Sequence, residues 1–365
     1  MKNSFNIKAW LVMPLLISCF YACKKDMNTG NHATNNIGQI NLANKNVKVD
    51  QVNLVADTAG FGAARIDTSL ANAWGIAAVP NGPIWISANH TGLSVVYDNT
   101  GLMKRPPVTI PAAMSGQMGA PDGVVFNGTT DFGSDKFIFA SEDGIVTAWS
   151  SGNTAVKVAD RSSSNTVYKG IALAMCNSSN FLYLADFKGN KIDVLDKNFN
   201  YVTINGFHDP NIPAGFAPFN VANIGGKLFV TYAKQKGPDD MDDQAGAGNG
   251  YVDIFDTNGT FIKRFASQGT LNSPWGVTAS PAGFADDKGA ILVGNFGDGR
   301  INIFDMQGNF EGQLEDTNGQ PLAIDGLWGL AFLQDNMGGS PNNPLYFTAG
   351  PNGEAHGLFG YLKKK

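Results

Sequence analysis

The stretch Ile291–Asp305, ILVGNFGDGRINIFD, decides how the chain is read. Its three glycines, Gly294, Gly297 and Gly299, sit between two apolar runs, the layout of a loop that wraps phosphate. A dinucleotide loop leads from a strand into a helix, because the helix N-terminus supplies the N–H groups and the dipole that hold the anion. Here the loop leads into RINIFD, where Ile301 and Ile303 flank Asn302 in the period-two alternation of a strand. No helical spacing follows. The stretch therefore predicts a β-hairpin, with glycines at the positive-φ positions that tight turns require.

The same layout recurs along the chain. It is found at Ile84–Gly101, Phe137–Trp149, Leu182–Asp196, Leu228–Ala233 with Gly250–Gly259, and in degenerate form at Leu345–Leu362. One phosphate loop per chain is normal and six are not. Each copy follows a second apolar segment: ANAWGIAAVP, GAPDGVVF, VYKGIALA, FAPFNVAN, NSPWGVTASP and DGLWGLAF. Aligning Gly75, Gly123, Gly170, Asn220, Gly276 and Gly329 gives steps of 48, 47, 50, 56 and 53 residues. A period near fifty with three or four short strands per unit predicts an all-β fold, a six-bladed β-propeller. One four-stranded blade cannot bury both of its faces, whereas a closed ring of blades can. The strand-like run Gln51–Asp57, QVNLVAD, precedes the first unit and is expected to complete the last blade, closing the ring.

Composition agrees. Glycine supplies 44 of 365 residues and charged residues 16% of the chain, where ~7% and ~25% are usual. Many turns and a sheet-rich interior account for both. The net charge of −5, with no basic stripe and Lys363–Lys365 as the largest lysine run, argues against nucleic acid as a partner.

The N-terminus, MKNSFNIKAWLVMPLLISCFYACKKD, has Lys2 and Lys8, then an apolar stretch from Ala9 to Phe20, then small residues and cysteine. That order is a signal peptide, too short for a comfortable transmembrane helix. Two cysteines fit lipoprotein processing. Leu16–Cys19, LISC, matches the general lipobox. Cys23, preceded by Ala22 and followed by Lys24, Lys25 and Asp26, resembles the lipoprotein starts of some Gram-negative bacteria and is taken as the lipidated residue. The expected organisation is a signal peptide over 1–22, a flexible Asn-rich tether over 23–48 and the propeller over 49–365. A tether of this length reaches roughly 25–30 Å, and two or more acyl chains on Cys23 would hold the protein on a lipid bilayer. The expected location is the bacterial cell envelope, at the outer membrane after export through the inner one, as a monomer. Only Cys176 then remains in the folded part, a buried structural thiol with no disulfide partner.

In an antiparallel blade, the start of the first strand and the loop joining the second and third lie at one end. Trp74, Asp122, Lys169, Phe219 with Asn220, Trp275 and Trp328 are therefore expected to ring the channel mouth. They share that end with loops carrying Asn89, His90, Glu142, Asp143, Asp186, Asp298, Glu354 and His356. The candidate ligand-binding set is Trp74, Asp122, Lys169, Asn220, Trp275 and Trp328. An aromatic arc facing the Asp122–Lys169 pair suits a polar ligand with an apolar face, such as a sugar; packing of the inner strands is the other role open to the tryptophans. The long loop Lys234–Gly250 offers Asp239, Asp240, Asp242 and Asp243 to Ca²⁺, a hard cation that takes several oxygens, but it lacks the D-x-D-x-D-G order of an EF-hand and a solvated acidic loop is the favoured reading. No other cofactor is expected. His90, His208 and His356 have no metal-ligand spacing, and neither a G-x-S-x-G elbow nor a Cys–His pair is present, so no catalytic residue is assigned.

The Trp-Gly starts and the VYD and IFD strand ends are similar to NHL-type repeats. The blocks YAKQKGPDDMDDQAGAGNGYVDIFD, GNFGDGRINIFD and DGLWGLAF resemble an uncharacterised family of exported bacterial six-bladed propellers, some ending in a PEP-CTERM sorting tail. The resemblance covers Gln51–Leu362 and implies fold and export, not mechanism; with LFGYLKKK at the end of this chain, the lipid would replace the tail as anchor. More distant six-bladed relatives include metal-dependent lactonases, whose channels hold Glu, Asn and Asp ligands. Here the inner-strand starts offer Asp122 and Asn220 beside Lys169 and tryptophans. The expectation is a non-enzymatic envelope lipoprotein binding a polysaccharide, peptide or protein at its channel mouth. The alternative is a channel-centred lyase or hydrolase with Asp122 as metal ligand or base.

Overall fold

The computed structural model describes residues 45–333 and 343–365. The expected signal peptide and the expected lipidation at Cys23 fall outside these residues. Within them each repeat unit forms one antiparallel blade, and the blades number six. Their inner strands are Ala73–Ala78, Pro121–Phe126, Tyr168–Cys176, Phe216–Ile224, Pro274–Ala279 and Leu327–Phe332. The stretch quoted first is the hairpin of blade five, with strands Ile291–Asn295 and Ile301–Phe304. Only Gly299 sits there for its turn, at φ 71°. Gly294 is small because a Cβ would come within 2.9 Å of Leu330 on blade six, and Gly297 because one would lie 2.0 Å from Asn272 Oδ1.

The ring closes as expected, by a longer strand. Val47–Ala56 runs antiparallel to Leu358–Lys364, from Val49 opposite Lys364 to Ala56 opposite Leu358. Its first residues also run parallel to Phe310–Glu315, the outer strand of blade five, with Val47 opposite Leu314. Residues 45–48, assigned above to the tether, therefore belong to the ring. Val47 and Val49 are buried while Lys48 between them is exposed, a period-two pattern hidden by the Asn-rich sequence before it. The Lys45 ammonium adds ion pairs to Asp286 and Glu311 of blade five.

The recurring aromatic–Asp pairs have a local cause. Asp98, Asp256 and Asp305 each accept backbone N–H groups from residues two and four positions later, fixing the turn into the outer strand, and Asp196 after Leu195 does the same. These are Asx-type turns, all at the end away from the channel mouth.

The aligned glycines serve packing between blades. A Cβ at Gly75 would lie 2.3 Å from Asp122 O, at Gly123 2.8 Å from Ile171 N, at Gly276 2.7 Å from Trp328 O and at Gly329 2.8 Å from Trp74 O. Neighbouring inner strands thus approach backbone to backbone around the ring. At this same position every inner strand slips register against its partner. Such a bulge bends the strand and re-aims a side chain. The re-aimed residues are Trp74, Asp122, Lys169, Phe219, Trp275 and Trp328.

Candidate functional site

The six bulged positions do not line an open mouth; they plug it. Trp74 stacks on Trp328 at 3.7 Å, and Phe296 from the blade-five hairpin covers the other face of Trp328 at 3.8 Å. Trp275 meets both tryptophans edge-on, at 6.3 and 5.9 Å, and Phe219 lies 5.8 Å from Trp328. The tryptophans are at most 5% exposed, so they form a floor and not a rim. Trp275 Nε1 donates to Lys169 O at 2.9 Å, and Trp328 Nε1 to Asn72 Oδ1 at 3.1 Å. Trp74 Nε1 is buried with no hydrogen-bond partner among the described residues.

On this floor stands a polar cluster. Lys169 lies 5.1 Å from the centre of the Trp74 ring. Its ammonium pairs with Glu142 from the blade-two hairpin and lies 3.6 Å from Asp242 of the long loop. Asp122 is fully buried; its Oδ1 accepts from Asn89 Nδ2 at 2.7 Å, and Asn89 also donates to Glu142 at 3.0 Å. Asp122 Oδ2 has no partner among the described residues. Glu354, from the blade-six hairpin, accepts from Asn72 Nδ2 at 2.8 Å. The expected pairing of Asp122 with Lys169 is thus corrected, since the ion-pair partner of Lys169 is Glu142. Neither is a surface charge, since Asp122 is 0% and Lys169 3% exposed.

Environment pushes these carboxyls apart. Burial, reinforced by the Glu142 charge, raises Asp122 well above the ordinary carboxylate range. Burial also opposes ionisation of Glu142, yet the Lys169 charge and hydrogen bonds from Lys169 and Asn89 outweigh it and hold its pKa below normal. Glu354 is raised, chiefly by burial. The result is an acidic mouth around one ammonium: acceptors outnumber donors.

Asn220 does something else. Its Nδ2 donates to Trp275 O at 2.8 Å and its Oδ1 accepts from Val221 N, so it bridges to blade five where the other units carry glycine. With Trp275 it borders a cavity of about 410 Å³ below the plug, walled by the later halves of the inner strands. Asn72 and Phe296, with Phe187 packed 5.0 Å from Phe219, belong to the floor and cluster but were not legible as such. Asn72 precedes the aligned strand start, and both phenylalanines sit in hairpin loops whose side-chain directions follow no periodicity.

Among the described residues no three His, Cys, Asp or Glu side chains converge to hold a metal ion, the Asp239–Asp243 loop included. Asp122 moreover faces an ammonium and an amide donor, partners that compete with a cation. The lactonase-type metal site does not fit here. Cys176 is free and buried, as expected.

Fold and plugged channel define a six-bladed β-propeller with an acidic, aromatic-floored mouth. The solved structure of a streptogramin B lyase is similar in fold, with a TM-score of 0.53 over 88% of this chain and 99% of that one, at 13% identity. No protein-family profile matches the chain. An uncharacterized protein of Acanthamoeba polyphaga mimivirus is 34% identical over 83% of this chain and 77% of its own length. A second from the same virus is 33% identical over 86% of each. The chain belongs to the family of these uncharacterized mimiviral proteins.

Proposed function

We propose that the protein is a lipid-anchored envelope propeller that binds a polysaccharide at its channel mouth without transforming it. The observation that supports this reading is the excess of carboxyl groups, Glu142, Asp242 and Glu354, around Lys169 above a tryptophan floor. Hydroxyl and amino groups of a sugar are the donors such acceptors lack, and an apolar sugar face suits an aromatic surface. The anchor is supported by the residues around Cys23.

The test is capture of the purified chain on arrayed bacterial envelope glycans. Asp242 is exposed and Glu354 half-buried, so Asp242→Asn with Glu354→Gln leaves the floor in place. The double variant is expected to lose capture at least ~tenfold, about 1.4 kcal/mol, with an unchanged melting curve. Undiminished capture would place binding elsewhere.

A second reading rests on a separate observation. Asp122 and Glu142 share Asn89 but have pKa values displaced in opposite directions, the arrangement that lets one carboxyl act as acid and another as base. This favours a lyase or hydrolase, and shortened products released from the same glycans would establish it.

A further inference from the structure

At the end of the ring away from the channel mouth, the core between blades one and two opens into a cavity of about 450 Å³. Its floor is aromatic. Trp85 stacks on Phe137 at 4.1 Å, Trp149 lies 4.5 Å from Trp85, and Phe126 lies 5.4 Å from Phe137. The opening has a cause in the sequence. Pro106 and Pro107 have no N–H to give a ladder, and the outer strand of blade one is cut to Val108–Thr109. Arg105 covers the rings instead, its guanidinium 4.5 Å from the Trp149 ring centre and 5.5 Å from that of Trp85. Hydrogen bonds to Gly152 O and Asn153 Oδ1 hold it there.

Two more cations line the cavity, Lys104 and Lys136. Asp98 lies 3.8 Å from Lys104, and Lys136 has no ion pair among the described residues. Three cations around an apolar floor, in a chain of net charge −5, are not a generic surface. We propose that this cavity binds a small organic anion with a flat apolar body, an aromatic carboxylate being the simplest of the class. The aromatic body packs against Phe126, the free flank of Trp149 and the rim of the stacked Trp85–Phe137 pair beside Arg105, and the carboxylate meets Arg105, Lys104 and Lys136. Charge complementarity sets the sign of the ligand, and the volume falls within the range of small-molecule sites, about 300–1,000 Å³. A sugar finds few acceptors here. A neutral hydrocarbon leaves the cations unanswered.

The experiment titrates the full chain with 2-naphthoate by calorimetry and tryptophan fluorescence, with 2-naphthamide as the uncharged match. One naphthoate is expected per chain, bound at least ~tenfold more tightly than the amide. Lys104 and Lys136 are exposed, so Lys104→Gln with Lys136→Gln should preserve the melting curve. It should weaken naphthoate severalfold and leave the amide unchanged, whereas Phe126→Ala should weaken both. Equal binding of acid and amide, no binding at millimolar concentration, or indifference of naphthoate to the lysine pair would each overturn the proposal.

Discussion

Asp122 shows how one buried carboxyl couples the mouth to stability. Burial raises its pKa well above normal, so the native state holds a proton that the unfolded chain has lost. Folding then takes up a proton at every pH between the unfolded value of ~3.9 and the native one. Stability from this group is full below that window and falls as pH rises through it. Asp122→Asn keeps the shape and abolishes the ionisation, so its urea midpoint should decline less steeply with pH than that of the parent. Parallel curves would mean that Asp122 is ionised in the folded protein. Residue by residue, the sequence was an uneven guide. Alternation and spacing brought Asp122 and Lys169 to one end, but Glu142 as the partner of Lys169 depends on how a hairpin loop turns its side chain. Asn220 was read as a ligand contact, because its type is polar; only the Trp275 carbonyl it bonds reveals a brace.

Among the elements, strands and hairpins were legible because period-two alternation and turn glycines are local signals. The inner-strand bulges were not. Each slips the register at one aligned position, and Trp-Gly reads the same whether or not the strand slips. The closing strand was found but begun too late, at Gln51 instead of Val47. Its pairing sets a tight condition on Gly360, which lies opposite Asn53. A Cβ there would come within 2.4 Å of Val52 O and 2.8 Å of the Phe347 ring. Gly360→Ala should therefore cost roughly 1–3 kcal/mol, read as a lower urea midpoint with unchanged slope. A parental midpoint would show that the seam between first and last strands has room to give.

For the molecule as a whole, the repeat period alone carried the ring of six, since blades of this kind stand only by leaning on neighbours. Attachment is a separate question, and the proposed anchor rests on Cys23. Cys23→Ala is expected to abolish labelling by a fatty-acid analogue and move the protein from membrane to soluble fractions. If Cys19→Ala does this instead, the acyl group sits at the earlier cysteine. The bulges carry a last consequence. Their geometry is written in the main chain and the flanking small residues, so copying a blade copies an empty socket and not its occupant. Trp, Asp, Lys, Phe, Trp and Trp now fill the six sockets in chain order. The occupants lean on one another, Trp74 on Trp328 and Trp275 on both, so an exchange in one socket calls for an answering change in the next. Descent within the family can thus respell a six-letter word at the centre of the disc while the disc itself is left alone.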